Sequence, residues 1–122
     1  MSKTILTIDD SASMRQMIAM TLAGAGLGVV EAASASEGYQ KATSQTIHAV
    51  LTDLHMPGGS GIDFIRQYRQ HPSAMGVPII LLTTESDESL KREAKEAGAT
   101  GWIVKPFKQD QLLAVIRKVA GA

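Results

Sequence analysis

Cysteine is absent from the 122 residues, so neither a disulfide framework nor a thiolate metal site can be built, and the chain reads as one made for a reducing, cytoplasmic setting. An excess of charge is absent as well. Twelve Lys and Arg balance twelve Asp and Glu, which leaves no electrostatic footprint for nucleic acid or for an anionic membrane surface. No stretch approaches the ~20 apolar residues that span a bilayer, and residues 1 to 20 lack the charged start and apolar core of a secretory leader. Internal repeats, low-complexity tracts and linkers are also missing. The length suits one hydrophobic core and is too short for a second module, so residues 1–122 read as a single domain.

What is present is alternation. Thr4 to Ile8 is short, β-branched and apolar. Asp9, Asp10 and Ser11 interrupt it, and Met14, Met17, Ile18 and Leu22 then recur at helical spacing up to the glycines of AGAGLG. The methionines of this helix read as core filler. Val29 and Val30 mark a second strand, and SASEGYQKA a weaker helix. His48 to Thr52 reads as a fully buried strand with Asp53 at its C-terminal end, followed by a helix from about Gly61 to Gln70. Pro78 to Thr83 is the fourth strand, Asp87 to Ala97 a helix stopped by Gly98, and Gly101 to Val104 the fifth strand. Lys108 to Val119 closes the chain as a helix with Leu112, Val115, Ile116 and Val119 in one apolar stripe. Five strands alternating with five helices make an α/β chain, and near-continuous apolar strands call for a parallel sheet covered on both faces. In doubly wound sheets of this kind, function collects beyond the carboxyl ends of the strands.

Those ends are chemically loaded. The first strand ends at Asp9 and Asp10, the third at Asp53, the fourth at Thr83 and the fifth at Lys105, whereas the second ends in Glu31, Ala32 and Ala33. If the second strand lies at the sheet edge, the four loaded ends become neighbours, about 4.8 Å apart from strand to strand. Three carboxylates so crowded repel by roughly 4 kcal/mol per pair at an effective dielectric near 20, so a cation is required for all to stay ionised. A set of oxygen ligands alone points to a hard divalent ion, Mg²⁺ before others, which keeps waters and accepts phosphate oxygens. Lys105 adds a point charge suited to a phosphoryl group, and the Thr83 hydroxyl a hydrogen bond to it. Asp53 then stands as a nucleophile that attacks phosphorus and forms an acyl phosphate.

Each piece alone has a plainer reading. Asp9 and Asp10 could cap the first helix, Asp53 could open a turn, Thr83 could be an ordinary strand residue and Lys105 a solvated one. Their common edge argues otherwise. The GAGLG at residues 24–28 imitates a dinucleotide-binding fingerprint but follows a helix and precedes a strand, the reverse of the required context. His48 and His71 have no partner ligand nearby and read as packed or solvated, and Tyr39 and Tyr68 as structural.

The stretches IDD, LTDLHMPGGSG, LLTT and GWIVKPF, at the ends of strands one, three, four and five, together resemble the receiver domains of two-component response regulators, of the CheY-like chemotaxis kind. The resemblance runs from about Lys3 to the C-terminus. It implies a doubly wound, flavodoxin-like receiver fold: a five-stranded parallel sheet in the order 2-1-3-4-5 with five helices. It implies further that Asp53 accepts phosphate from a CheA-like sensor histidine kinase, and that Asp9, Asp10, Asp53 and the backbone carbonyl of His55 hold Mg²⁺. By the same resemblance Lys105 and Thr83 contact the phosphoryl group, the Lys105–Pro106 peptide is cis, and Trp102 is the aromatic switch that follows Thr83. His55 and Glu85 fall where relatives tune dephosphorylation. Trp102 stands where Tyr or Phe is usual, and Ser60 where an acid is usual.

With no output domain in these residues, the resemblance implies a monomeric phosphoacceptor signalling protein that catalyses its own phosphotransfer and dephosphorylation. Its expected target is a FliM-like flagellar motor switch protein, with a phosphatase as a further partner and with neither nucleic acid nor membrane among the partners. A phosphorelay intermediate or phosphate sink needs the same Asp53 without the motor. An aspartate-nucleophile phosphatase of the haloacid dehalogenase type ranks below both, since it requires a second Asp where His55 stands. A flavodoxin-type flavin protein ranks lower still, because DDSAS is acidic where a phosphate-binding loop should offer donors.

Overall fold

The structure, a computed structural model, describes residues 3–121. Its strands are β1 (Thr4–Ile8), β2 (Gly28–Ala32), β3 (Ala49–Asp53), β4 (Ile79–Thr83) and β5 (Gly101–Val104). Between and after them lie α1 (Ala12–Gly24), α2 (Ala35–Ser44), α3 (Gly61–Arg69), α4 (Glu88–Ala97) and α5 (Gln109–Ala120). The strands form one parallel sheet in the order β2-β1-β3-β4-β5, which puts β2 at an edge. A single 3-10 turn at Pro72–Ala74, which no apolar period announced, links α3 to β4.

Alternation of side chains across the pleat explains the strand composition. Leu6, Ile8, Val50, Ile79 and Leu81 face one way, against Ala42 of α2, Phe64, Ile65 and Tyr68 of α3 and Ala94 of α4. Ile5, Ala49, Leu51, Ile80 and Leu82 face the other way, against Ile18 and Leu22 of α1 and Leu112 and Ile116 of α5. Both faces being covered, the central strands have no place for a solvated residue until they leave the sheet. The first polar groups past that limit are the candidate functional ones.

Short local signals set the helix ends. Ser11 accepts the Met14 N–H, Ser34 the Glu37 N–H, and Asp87 the Ser89 and Leu90 N–H groups, satisfying donors that the first turn leaves unpaired. At α3, Ser60 and Asp63 form a reciprocal capping box. α4 stops at Gly98 in the left-handed conformation. The α1 methionines need a correction: Met14 and Met17 pack against the core, but Met20 is 69% exposed. It follows Met17 by three residues, and at 100° per residue that rotation carries it past the edge of the buried stripe.

Candidate functional site

Parallel register brings the loaded strand ends together. Ile8 pairs with Thr52, Asp53 with Leu82, and Thr83 with Val104, so Asp9, Asp53, Thr83 and Lys105 follow one another along the carboxyl edge. Main-chain bonds carry the ladder past the strands: Asp9 N–H donates to Ala32, Leu54 N–H to Leu82 and Lys105 N–H to Thr83. The Lys105–Pro106 peptide is cis.

One carboxylate oxygen from each of Asp9, Asp10 and Asp53 lies within 4.8 Å of the others. Asp9 is buried and Asp10 exposed. Asp9 Oδ1 accepts the Ser11 N–H at 2.9 Å. Its Oδ2 is buried without a hydrogen-bond partner, with Lys105 Nζ 3.6 Å away. Burial is the main reason the Asp9 pKa stands above its ordinary value. The Ser11 N–H and Lys105 oppose the rise, while Asp53 and Asp10 add to it. Asp53 Oδ1 accepts the Leu54 N–H and the Lys105 ammonium, each at 3.0 Å. Three carboxylates and one ammonium leave a formal charge of −2. An orphaned buried oxygen facing two further carboxylates fits a hard divalent cation, and the donors, all oxygen, suit Mg²⁺.

Thr83, Trp102 and His55 all meet the loop that follows β4. Thr83 is buried, and its hydroxyl oxygen accepts the Glu85 N–H at 3.2 Å. The Trp102 indole N–H donates to the Glu85 carbonyl at 3.0 Å. His55 Nε2 lies 3.1 Å from Glu85 Oε2. Glu85 thus joins Thr83, Trp102 and His55, a convergence that spacing alone did not reveal.

The sequence reading also missed residues that aim the site. The N-cap of α1 is Ser11, so the two preceding acids are not its cap. Ser60 caps α3, and its pairing with Asp63 was legible as a Ser-x-x-Asp box. Next to it, Gly61 donates its N–H to Leu54, and a Cβ there would stand 2.4 Å from the Asp53 carbonyl oxygen. Only a residue without a side chain lets α3 begin so close to Asp53.

The sequence profile of the response regulator receiver domain matches residues 5–117. The chain belongs to this family. As a receiver domain it is 35% identical over 117 residues to the phosphate regulon transcriptional regulatory protein PhoB of Pseudomonas aeruginosa, covering 96% of this chain and 51% of the relative. It is 30% identical over 119 residues to the probable chemotaxis protein CheY of Rhizobium etli, covering 97% of this chain and 92% of that one. The chain spans about half the length of several curated relatives that it matches, the PhoB and KdpE proteins among them. Among solved structures, chemotaxis protein CheY4 of Vibrio cholerae superposes with a TM-score of 0.95 at 38% identity, covering 98% of this chain and 99% of that one. The receiver domain of sensor histidine kinase PA1611 from Pseudomonas aeruginosa, which has a magnesium ion coordinated in its active-site cleft, superposes at 0.91 with 25% identity over 100% of both chains. The expected 2-1-3-4-5 receiver fold is the observed one. Among the described residues no helix is long and apolar enough to cross a membrane.

Proposed function

We propose that this receiver domain takes a phosphoryl group from a phosphohistidine of a sensor histidine kinase onto Asp53, and that residues 1–122 act as one such unit. The observation that carries the reading is the cluster itself: Asp9, Asp10 and Asp53 oxygens within 4.8 Å of one another, with Lys105 3.0 Å from Asp53. Asp9, Asp10, Asp53 and the His55 backbone carbonyl would hold Mg²⁺. When bound, that ion neutralises charge that develops on the transferred group and lowers the repulsion among the acids.

Asp53 Oδ1 is held by Leu54 N–H and Lys105, whereas its Oδ2 takes no hydrogen bond among the described residues. Oδ2 is the nucleophile of this proposal. It forms the new P–O bond as the P–N bond to the donor imidazole breaks, and the imidazole, protonated beforehand on its other ring nitrogen, takes the electron pair and leaves neutral. Lys105 is within reach of a phosphoryl oxygen on Asp53, and the Thr83 hydroxyl, once it releases the Glu85 N–H, can donate to another. Because Trp102 bonds the carbonyl of that same Glu85, movement of Thr83 bears on Trp102 and on the α4–β5 groove it lines with Lys91 and Lys95. The added charge of about −2 at neutral pH gives this shift its driving force. His55 and Glu85, 3.1 Å apart, would control water's approach and thus the lifetime of the acyl phosphate.

For the output we propose chemotaxis, with a flagellar motor switch protein as target. The likeness to CheY4 and the near full-length match to the Rhizobium etli CheY support it. A second reading, receiver of a transcriptional regulator, is favoured by the PhoB and KdpE relatives at 35% identity. Treating the protein with Mg²⁺ and acetyl phosphate tests the chemistry: a phosphoryl adduct on Asp53 is expected, absent from Asp53→Asn. An adduct elsewhere, or none, overturns it. Capture of a motor switch protein only by the phosphorylated form would then select chemotaxis.

A further inference from the structure

Arg15 lies in the first turn of α1, close in the chain to Asp9 and Asp10, yet its guanidinium bonds main chain. Nη1 donates to the Asp9 carbonyl at 2.5 Å, and Nε lies 3.5 Å from Glu31 Oε1 on β2. The side chain is 19% exposed. The Asp9 N–H, meanwhile, donates to Ala32 on the same edge strand, and Asp9 Oδ1 takes the Ser11 N–H. Asp9 is therefore held at its N–H, its carbonyl and one carboxylate oxygen, which leaves Oδ2 as the atom directed at the cluster. The charges acting on the Asp9 carboxylate are those of Lys105, Asp53 and Asp10. Arg15 acts on the backbone that carries it.

A loose arginine here would compete with a cation for the acids. The Asp9 carbonyl and the Glu31 counter-charge together keep the guanidinium occupied elsewhere, and they tie the edge strand, chemically plain at its very end, to the site. Lys41 of α2 donates in turn to the Glu31 carbonyl, so the strut rests on an anchored strand. Partners that orient metal ligands typically matter by 10- to 100-fold in affinity. Mg²⁺ demands near-octahedral ligand placement, whereas Ca²⁺ accepts a flexible, irregular set.

We propose that Arg15, braced by Glu31, is a positioning residue that aims the Asp9–Asp10 segment so that the cluster prefers Mg²⁺ over Ca²⁺. The proposal rests on the reading of the cluster as a cation site. It also makes a prediction opposite in sign to simple electrostatics, because removing a nearby positive charge should tighten binding of either cation.

Calorimetric titration of the folded protein with MgCl₂, and separately with CaCl₂, decides between them. Arg15→Gln is expected to weaken Mg²⁺ binding about 10-fold and Ca²⁺ binding less, lowering the preference for Mg²⁺. Arg15→Lys, which keeps a donor for the carbonyl but cannot also fork to Glu31, is expected to fall between Arg15→Gln and the unaltered protein. Unchanged or tighter Mg²⁺ binding in Arg15→Gln, equal losses for the two ions, or a Lys variant weaker than the Gln variant overturns the proposal. Should Arg15→Gln fail to fold, Glu31→Gln carries the same comparison: a reduced Mg²⁺ preference supports the strut, and an unchanged one overturns it. Failure of the unaltered protein to bind Mg²⁺ is a separate result, which overturns the reading of the cluster itself.

Discussion

Neutralising Asp9 should make the metal-free protein more stable while removing its response to Mg²⁺. In Asp9→Asn the shape is kept and one buried charge is lost. At an effective dielectric near 20, Lys105 at 3.6 Å attracts the Asp9 carboxylate by about 4.6 kcal/mol, and a carboxylate within 4.8 Å repels it by about 3.5 kcal/mol or more. Asp53 supplies one such repulsion, and exposed Asp10 a weaker, screened one, so attraction and repulsion come close to cancelling. What remains is the burial of an oxygen with no hydrogen bond, a cost of about 1–3 kcal/mol. At ~2.1 cal/mol/K per residue, 122 residues unfold with about 0.26 kcal/mol/K, so the gain corresponds to about 4–12 °C in Tm. Scanning calorimetry in EDTA at pH 7 measures it.

The pH dependence has a definite sign. The Asp9 pKa is raised above 3.8 in the folded state, so the folded protein binds more protons than the unfolded chain between that value and the folded one. Its stability therefore falls as pH rises through this window, and the full cost persists above it. Asp9→Asn should lack that slope. Mg²⁺ at 100 times its Kd should stabilise the unaltered protein by about 2.7 kcal/mol and the variant hardly at all. A variant less stable than the unaltered protein in EDTA, or one still stabilised by Mg²⁺, would refute the reasoning.

Gly61→Ala should displace the Asp53 carbonyl or the start of α3, because a Cβ there meets backbone at 2.4 Å and Leu81 Cδ2 at 2.9 Å. A loss of about 2 kcal/mol or more in denaturant unfolding, together with slower phosphorylation by acetyl phosphate, is expected. The Asp87 pKa is lowered chiefly by the Ser89 hydroxyl and then by the Leu90 and Ser89 N–H groups. Its capping of α4 should therefore be complete above pH 3.8 and be lost as pH falls through the lower folded value, which amide exchange at Ser89 and Leu90 will report. Exchanging His55 for Asn and Glu85 for Ala should hasten decay of the acyl phosphate by opening water's path beside Asp53. Unchanged decay would remove this pair from control of the lifetime.

The fold was legible because its signals are local. Runs such as Ile79 to Leu82 admit no exposed face, and Ser11, Asp87 and Gly98 mark helix ends through bonds that reach only a few residues. The same locality misjudged Met20, whose composition is right for a core but whose angle around α1 is not, and passed over the turn at Pro72–Ala74. Asp9, Asp53, Thr83 and Lys105 could be named in advance because each ends an apolar strand.

By itself, then, the sequence determined the alternation of five strands with five helices and the residue type at each strand end, since burial and capping act over short spans of chain. Tertiary structure alone decided that Asp9 keeps one oxygen buried without a partner, that Arg15 grips the main chain of Asp9, and that Glu85 meets Thr83, Trp102 and His55. Those contacts join segments distant in the chain or turn on burial and side-chain direction. No spacing in the sequence encodes them, because parallel pairing brings strand ends together through the sheet.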